Sequence, residues 1–180
     1  MPLLGYFCPD IEASHVTKVR PAFLAERGIR LVLVDLDNTL IGKGTFELDQ
    51  SVIDWAWSLA KFSIKLRIVS NASRRRIEWV AGQLDCQLTP CDWGKGLFKP
   101  LPAIFRSALN GELNRKQVAM IGDQRLTDVW GARLAGLGLV ILVQPLSNKD
   151  YIGTRYVNRN LERLIARIQK RLPNPPYILE

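Results

Sequence analysis

Leu31-Val32-Leu33-Val34-Asp35-Leu36-Asp37-Asn38-Thr39-Leu40 is the stretch that decides the fold. Four branched apolar residues run straight into two carboxylates. A short continuous apolar run that stops at polar residues reads as a strand buried on both faces, as in a parallel sheet. Ligands of such sheets bind just beyond the carboxyl ends of the strands, where Asp35 and Asp37 fall. Residues two apart on an extended chain point the same way. Two like charges held close are costly unless a cation or a shared proton relieves them. The stretch therefore asks for a metal ion, an acid–base task, or both.

Working outward, the same pattern recurs. Ile64 to Val69 reads as a second strand ending at Ser70-Asn71. A short strand is expected near Cys86–Leu88, another at Val118–Ile121 ending at Gly122-Asp123, and the last at Leu139–Val143. Helix signals fall between them. Asp49-Gln50-Ser51 starts one that runs to about Phe62, with Val52, Ile53, Ala56, Leu59 and Ala60 on its buried side. Others span Ser73–Gln83, Pro102–Leu109 and about Thr127–Leu134, the last stopping at Gly136 or Gly138. Strands alternating with helices from residue 30 to 143 predict an α/β fold, a doubly wound parallel sheet with helices on both faces. Residues 1–29 read as loop with one short helix. Residues 41–50 read as a loop or small hairpin around Gly42 and Gly44. Pro173, Pro175 and Pro176 predict an extended C-terminal end.

Bulk properties narrow the classes. The 180 residues suit one domain, spanning 1–180, and 47% hydrophobic residues suit a packed core. The formal charge of +8 favours anionic partners. Three cysteines are no disulfide framework, which points to a reducing compartment. Cys86 and Cys91 have no second ligand pair to make a zinc site, and no cysteine opens a Cys-x5-Arg phosphate loop. His15 is the single histidine, which excludes two-histidine metal sites. No apolar run approaches the roughly 20 residues of a membrane span, and the N-terminus lacks the basic lead of a secretory signal.

The polar strand ends share one edge of the predicted sheet. Asp35, Asp37, Ser70, Asn71 and Asp123, with Lys99 from an intervening loop, would surround one pocket. A carboxylate-rich set with few other ligands suits Mg²⁺, which keeps waters and takes substrate phosphate. A carboxylate nucleophile needs its repulsion with phosphate neutralised, and Mg²⁺ with Lys99 would do so.

Asp35-Leu36-Asp37-Asn38-Thr39-Leu40 resembles the first motif of the haloacid dehalogenase-like (HAD) phosphatases. Ile68-Val69-Ser70-Asn71 resembles their second motif, Lys99-Pro100 their third, and Gly122-Asp123-Gln124-Arg125-Leu126-Thr127-Asp128 their fourth. The resemblance implies a Rossmann-like core and a role at each position. Asp35 would be the nucleophile that becomes an aspartyl-phosphate. Asp37 would be the general acid, then the base. Ser70 and Lys99 would hold phosphoryl oxygens, with Asn71 beside the substrate. Asp35 and Asp123 would bind Mg²⁺ with the backbone carbonyl of Asp37, and Asp128 would support the metal. Arg125 is not required by the motif and is read as a substrate contact. Phe98, where a small residue is expected, departs from the pattern.

The intervals from Asp37 to Ser70 and from Ser70 to Lys99 leave no room for a large cap domain, so the pocket is expected to be open. Arg74, Arg75 and Arg76 read either as a solvated charge run or as a clamp for a second anionic group. Residues 158–172 have apolar residues at helical spacing among arginines and lysines. That basic amphipathic helix either packs on its own domain or lies in a membrane interface. The closer resemblance is to the YqeG-type branch, which includes phosphatidylglycerophosphate phosphatases. It implies hydrolysis of an anionic lipid head group to phosphatidylglycerol, by a cytoplasmic protein peripheral on the inner face of a membrane. A soluble phosphatase of a phosphosugar or nucleotide is the alternative. So is a non-catalytic anion- or nucleic-acid-binding module, although no nucleic-acid motif with stacking aromatics is present and no nucleic-acid partner is expected.

Overall fold

In the computed structural model, Leu31–Val34 form a fully buried strand whose side chains alternate between two separate cores. The structure describes residues 3–109, 111, 114–147 and 176–179. Seven strands make one sheet: β1 Ile11–Ala13, β2 Leu31–Val34, β3 Lys65–Ser70, β4 Gln87–Pro90, β5 Val118–Gly122, β6 Leu139–Val143 and β7 Tyr177–Leu179. Their spatial order is β4-β3-β2-β5-β6-β1-β7, and every pairing is parallel. The α-helices are α1 Pro21–Glu26, α2 Gln50–Ala60, α3 Arg74–Leu84, α4 Pro102–Ser107 and α5 Trp130–Ala135.

Val32 and Val34 pack with residues of α1, α2 and α3. Leu31 and Leu33 pack with residues of α4 and α5 on the other face. The period-two alternation of a strand thus feeds two helical layers. The chain leaves β2 toward β3 and β4, then returns to β5 on β2's other side. That reversal is the topological switch point where doubly wound sheets open a crevice.

The elements agree with the sequence expectation from β2 to β6, with shifts of one or two residues at their ends. Three differences have physical causes. Ile11–Ala13, expected as loop, is a strand on the edge of β6. Three residues are too short to show a period, and the partner's edge supplies the pairing. Leu139–Val143 is not the last strand, because Tyr177–Leu179 adds to β1, in keeping with the extended end expected there. On α2, Val52, Ala56 and Leu59 are buried and Ile53 packs against the core as expected, but Ala60 is exposed and Trp55 joins the buried side. The indole N–H of Trp55 donates to the Val19 carbonyl at 2.8 Å, which satisfies its one polar atom. The proposed helix at 158–172 lies outside the described residues. Among the described residues, no helix is long and apolar enough to cross a membrane.

Two glycines predict opposite stability effects. A Cβ on Gly138 would stand 2.1 Å from the Lys116 carbonyl oxygen, a backbone atom that cannot turn aside. Gly82 is exposed inside α3, and a Cβ there meets nothing within 4 Å. In urea unfolding, Gly138→Ala should lose about 1–3 kcal/mol. Gly82→Ala should gain up to about 1 kcal/mol.

Candidate active site

The register of the central strands delivers the site. Val34 pairs with Ile68 on β3 and with Ile121 on β5. The next residue, Asp35, leaves β2 beside Gly122, the last residue of β5, and Asp35 N–H still donates to the Ile121 carbonyl at 2.9 Å. The chain then turns sharply. Three successive N–H groups, of Thr39, Leu40 and Ile41, converge on the Leu36 carbonyl. Asn38 takes φ 60°, a left-handed conformation that asparagine tolerates better than most residues.

Lys99 is the centre of the cluster. Its Nζ lies 2.6 Å from Asp35 Oδ1 and 2.6 Å from Asp128 Oδ1, and all three side chains are buried. Asn71 fixes the lysine's backbone: its Oδ1 accepts from Lys99 N–H at 2.8 Å and its Nδ2 donates to the Lys99 carbonyl at 2.9 Å. The Lys99–Pro100 peptide is cis.

Asp128 arrives through a π turn, Arg125–Val129, that leads into α5. Its N–H and that of Val129 both donate to the Gln124 carbonyl. Its Oδ2 accepts from Gln124 N–H at 3.0 Å. The extra residue in the turn folds Asp128 back against Gly122, where a Cβ would lie 2.3 Å from the carboxyl group. Glycine at 122 is therefore what lets this carboxylate reach Lys99.

Carboxylate oxygens of Asp35, Asp123 and Asp128 all lie within 4.8 Å of one another. Asp123 Oδ1 is buried and has no hydrogen-bond partner. Three acids against one ammonium leave a negative excess that burial makes costly. Burial, then the Asp128 and Asp35 carboxylates, push the Asp123 carboxyl up to about 9, with Lys99 opposing. Burial also pushes Asp128 up, Lys99 opposing and Asp35 adding. For Lys99, burial acts to lower the pKa, but Asp128 and Asp35 outweigh it and the net shift is upward. A hard divalent cation that takes oxygen ligands fits this donor set and would satisfy the stranded Asp123 oxygen.

A cavity of about 220 Å³ opens onto this cluster, lined by Asp35, Asp37, Ser70, Asn71 and Lys99 from the sequence reading. Ser70 is buried, and its Oγ accepts from Ala72 N–H at 3.2 Å. Lys43, Gln124 and Thr127 also line it. Lys43, between two glycines just after the paired acids, was a signal available in the sequence. No large cap domain covers the cavity among the described residues.

Three arginines divide differently from the expectation. Arg74 is exposed and pairs with Glu78 one turn on, at 2.6 Å. Arg75 is exposed, its guanidinium 5.8 Å from the Phe46 ring centroid. Arg76, to which the sequence reading gave no separate role, forms an ion pair with Asp37. The signal was its place one turn before the buried Val80. Arg125, read as a substrate contact, does not line the cavity in this structure. Its guanidinium pairs with Glu12 at 2.6 Å and bonds the Phe7 carbonyl, because β1 lies alongside β6 and brings Glu12 to it.

A family model described as HAD-hydrolase-like matches residues 97–145. The chain is 33% identical over 170 residues to the Bacillus subtilis (strain 168) protein named "Probable phosphatase YqeG", covering 94% of this chain and 95% of that protein. This chain is a HAD-superfamily phosphatase of the YqeG type. The fold recurs in solved structures of low identity. One, an uncharacterized protein from Listeria monocytogenes serotype 4b, is 15% identical with a TM-score of 0.53, covering 77% of this chain and 99% of that one. A hypothetical protein from Xanthomonas campestris is 20% identical with a TM-score of 0.50, covering 68% and 72%. At these identities the likeness concerns the fold. The HAD core accounts for why the four motifs, far apart in sequence, meet at one sheet edge.

Two predictions follow from this geometry. Gly122→Ala should displace Asp128 and lower phosphatase kcat about 10–100-fold, the range for lost support of a site ligand, with the circular dichroism spectrum unchanged. The second concerns pH. An acid whose folded pKa is raised holds its proton when folded and releases it when unfolded, so stability falls as pH rises between the two values. Without divalent metal, the wild-type protein should lose stability relative to Asp123→Asn as pH rises from about 4 toward about 9. Added Mg²⁺ should stabilise wild type at pH 8 and leave Asp123→Asn almost unmoved.

Proposed function

We propose that this phosphatase is a Mg²⁺-dependent phosphomonoesterase that works through an aspartyl-phosphate on Asp35. The observation that carries the reading is Lys99, bridged between Asp35 and Asp128 at the mouth of a polar cavity, with the unpartnered Asp123 oxygen beside it. Asp35, Asp123 and Asp128 would hold the cation, Asp37 contributing its backbone carbonyl. When bound, Mg²⁺ offsets charge on the phosphoryl oxygens and the carboxylates.

In the first half-reaction an Asp35 carboxylate oxygen attacks phosphorus and the bond to the ester oxygen breaks. Asp37 gives its proton to the departing alkoxide, which leaves as the alcohol. In the second, water attacks the same phosphorus while Asp37 takes its proton. The bond to Asp35 breaks and inorganic phosphate is released. Lys99 and Ser70 hold the phosphoryl oxygens in both. Lys43, Gln124 and Thr127, which line the cavity, stand where the leaving group enters.

The substrate we propose is phosphatidylglycerophosphate, hydrolysed to phosphatidylglycerol at a membrane surface. The YqeG-type resemblance supports it, and so does the shape of the site. A cavity of about 220 Å³ takes a phosphate and a few further atoms. It is smaller than the pockets that enclose a whole drug-sized ligand, so acyl chains would stay outside. Exposed Phe46 sits against Trp79, with the Arg75 guanidinium 5.8 Å from its ring centroid. The aromatic ring suits an interface, and Arg74 or Arg75 suits the internal phosphodiester. A net charge of +8 favours an anionic surface, each near-surface Lys or Arg adding about 1 kcal/mol.

Purified protein should release phosphate from the dispersed lipid, and chelation or Asp35→Asn should abolish it. Turnover should exceed that of glycerol 3-phosphate and rise with anionic vesicles at low salt. Equal turnover of the two esters with no vesicle binding would favour a soluble phosphosugar or nucleotide as substrate. Salt-sensitive nucleic-acid binding without phosphate release would favour the binding-module reading.

A further inference from the structure

Arg76 occupies a place that its own helix does not favour. It lies in the first turn of α3, where no acidic residue offsets the helix dipole and a cation opposes it. Its neighbours Arg74 and Arg75 are exposed, whereas the Arg76 side chain is only 11% exposed. Contacts outside the helix compensate. Nη1 donates to Asp37 Oδ1. Nη2 donates to the Gly42 carbonyl at 3.2 Å and to the Thr45 carbonyl at 3.1 Å, and Nε donates to that Thr45 oxygen at 3.2 Å.

All of these acceptors belong to the segment that follows β2. One planar guanidinium thus ties the second acid of the first motif to the loop that carries Lys43 along the cavity wall. Arg76 itself is not among the cavity-lining residues, while Asp37 is. Asp37 needs such an anchor. It stands beyond the end of β2, just before the left-handed Asn38, so the sheet ladder does not orient it. Among the described residues, Oδ1 carries the side chain's hydrogen bond, to Arg76, and Oδ2 carries none.

We propose that Arg76 is the positioning residue of the general acid: it holds Asp37 Oδ1 and the 42–45 loop, leaving Oδ2 to exchange the proton. This rests on the phosphatase reading above, in which Asp37 protonates the departing alkoxide. Arg76 touches no reacting atom and acts through Asp37. A lysine cannot replace it, because an ammonium lacks the fixed fork that spans a carboxylate and two carbonyls.

The role has a chemical signature. A poor leaving group needs the proton from Asp37 as it departs, whereas p-nitrophenolate leaves without one. In the first half-reaction, loss of positioning must therefore fall on alkyl esters, while general loosening of the site would slow both. The test measures kcat/KM, which reports the acid-assisted first half-reaction and not the aspartyl-phosphate hydrolysis that both esters share, for glycerol 3-phosphate and for p-nitrophenyl phosphate in the full chain, with Arg76→Ala, Arg76→Lys and Asp37→Asn, each checked for folding by circular dichroism. General acid catalysis contributes about 10²–10⁴-fold. Arg76→Ala should lose about 10²-fold or more on the alkyl ester and less than about tenfold on the nitrophenyl ester. Added guanidinium should restore part of the alkyl-ester rate to Arg76→Ala. Arg76→Lys should stay impaired, and Arg76→Ala should add little to Asp37→Asn. Equal losses on both esters without guanidinium rescue, or full activity of Arg76→Ala, would overturn the proposal and leave the phosphatase reading intact. Wild-type protein that releases phosphate from neither ester and from no dispersed phosphatidylglycerophosphate would overturn both.

Discussion

A buried ammonium between two buried carboxylates is the constraint on which this structure turns. Lys99 has Asp35 on one side and Asp128 on the other. Each partner comes from a different strand end, so the contact requires β2 and β5 to be neighbours in the observed register. It also requires the π turn after β5 and a residue without a side chain at 122. Removing the lysine would leave the acids buried and uncompensated, which costs far more than the loss of a surface ion pair. The Asn71 amide, bonded to both backbone groups of Lys99, shows how β3 contributes to the same demand.

The negative excess links architecture to chemistry. A cluster of acids that one lysine cannot balance is unfavourable in the protein alone. It becomes favourable once a divalent cation and a phosphoryl group enter together. The residues that make the metal-free fold costly at neutral pH are thus those that would make phosphate transfer possible. Strain of this kind is expected where a fold carries a function, and two well-packed helical layers offset it elsewhere.

The rest of the molecule keeps that edge in place. Asp10 caps the other side of the sheet, its Oδ2 accepting from Val140 N–H and its Oδ1 pairing with Arg133. Arg125 and Glu12 fasten β1 to the π turn that carries Asp128. The short strand near the N-terminus is therefore mechanically connected to the acid cluster, although it lies outside the four motifs.

The sequence by itself determined the alternation of strands and helices from β2 to β6 and the grouping of Asp35, Ser70, Lys99 and Asp123. The reason is local. An apolar run that stops at a carboxylate announces both a buried strand and the end at which ligands gather. Lys43 was missed there, although its place between two glycines just after the paired acids was a signal. What only the tertiary structure decided were the long-range pairings. Ile11–Ala13 and Tyr177–Leu179 are strands because a sheet edge accepts them, not because three residues carry a period. Arg125 turns to Glu12 rather than to the cavity because β1 brings that acid within reach. Arg76 and Asp37 are 39 positions apart. Helical spacing to Val80 marks Arg76 among the three arginines, but what it meets is decided only when α3 packs against the loop beyond β2.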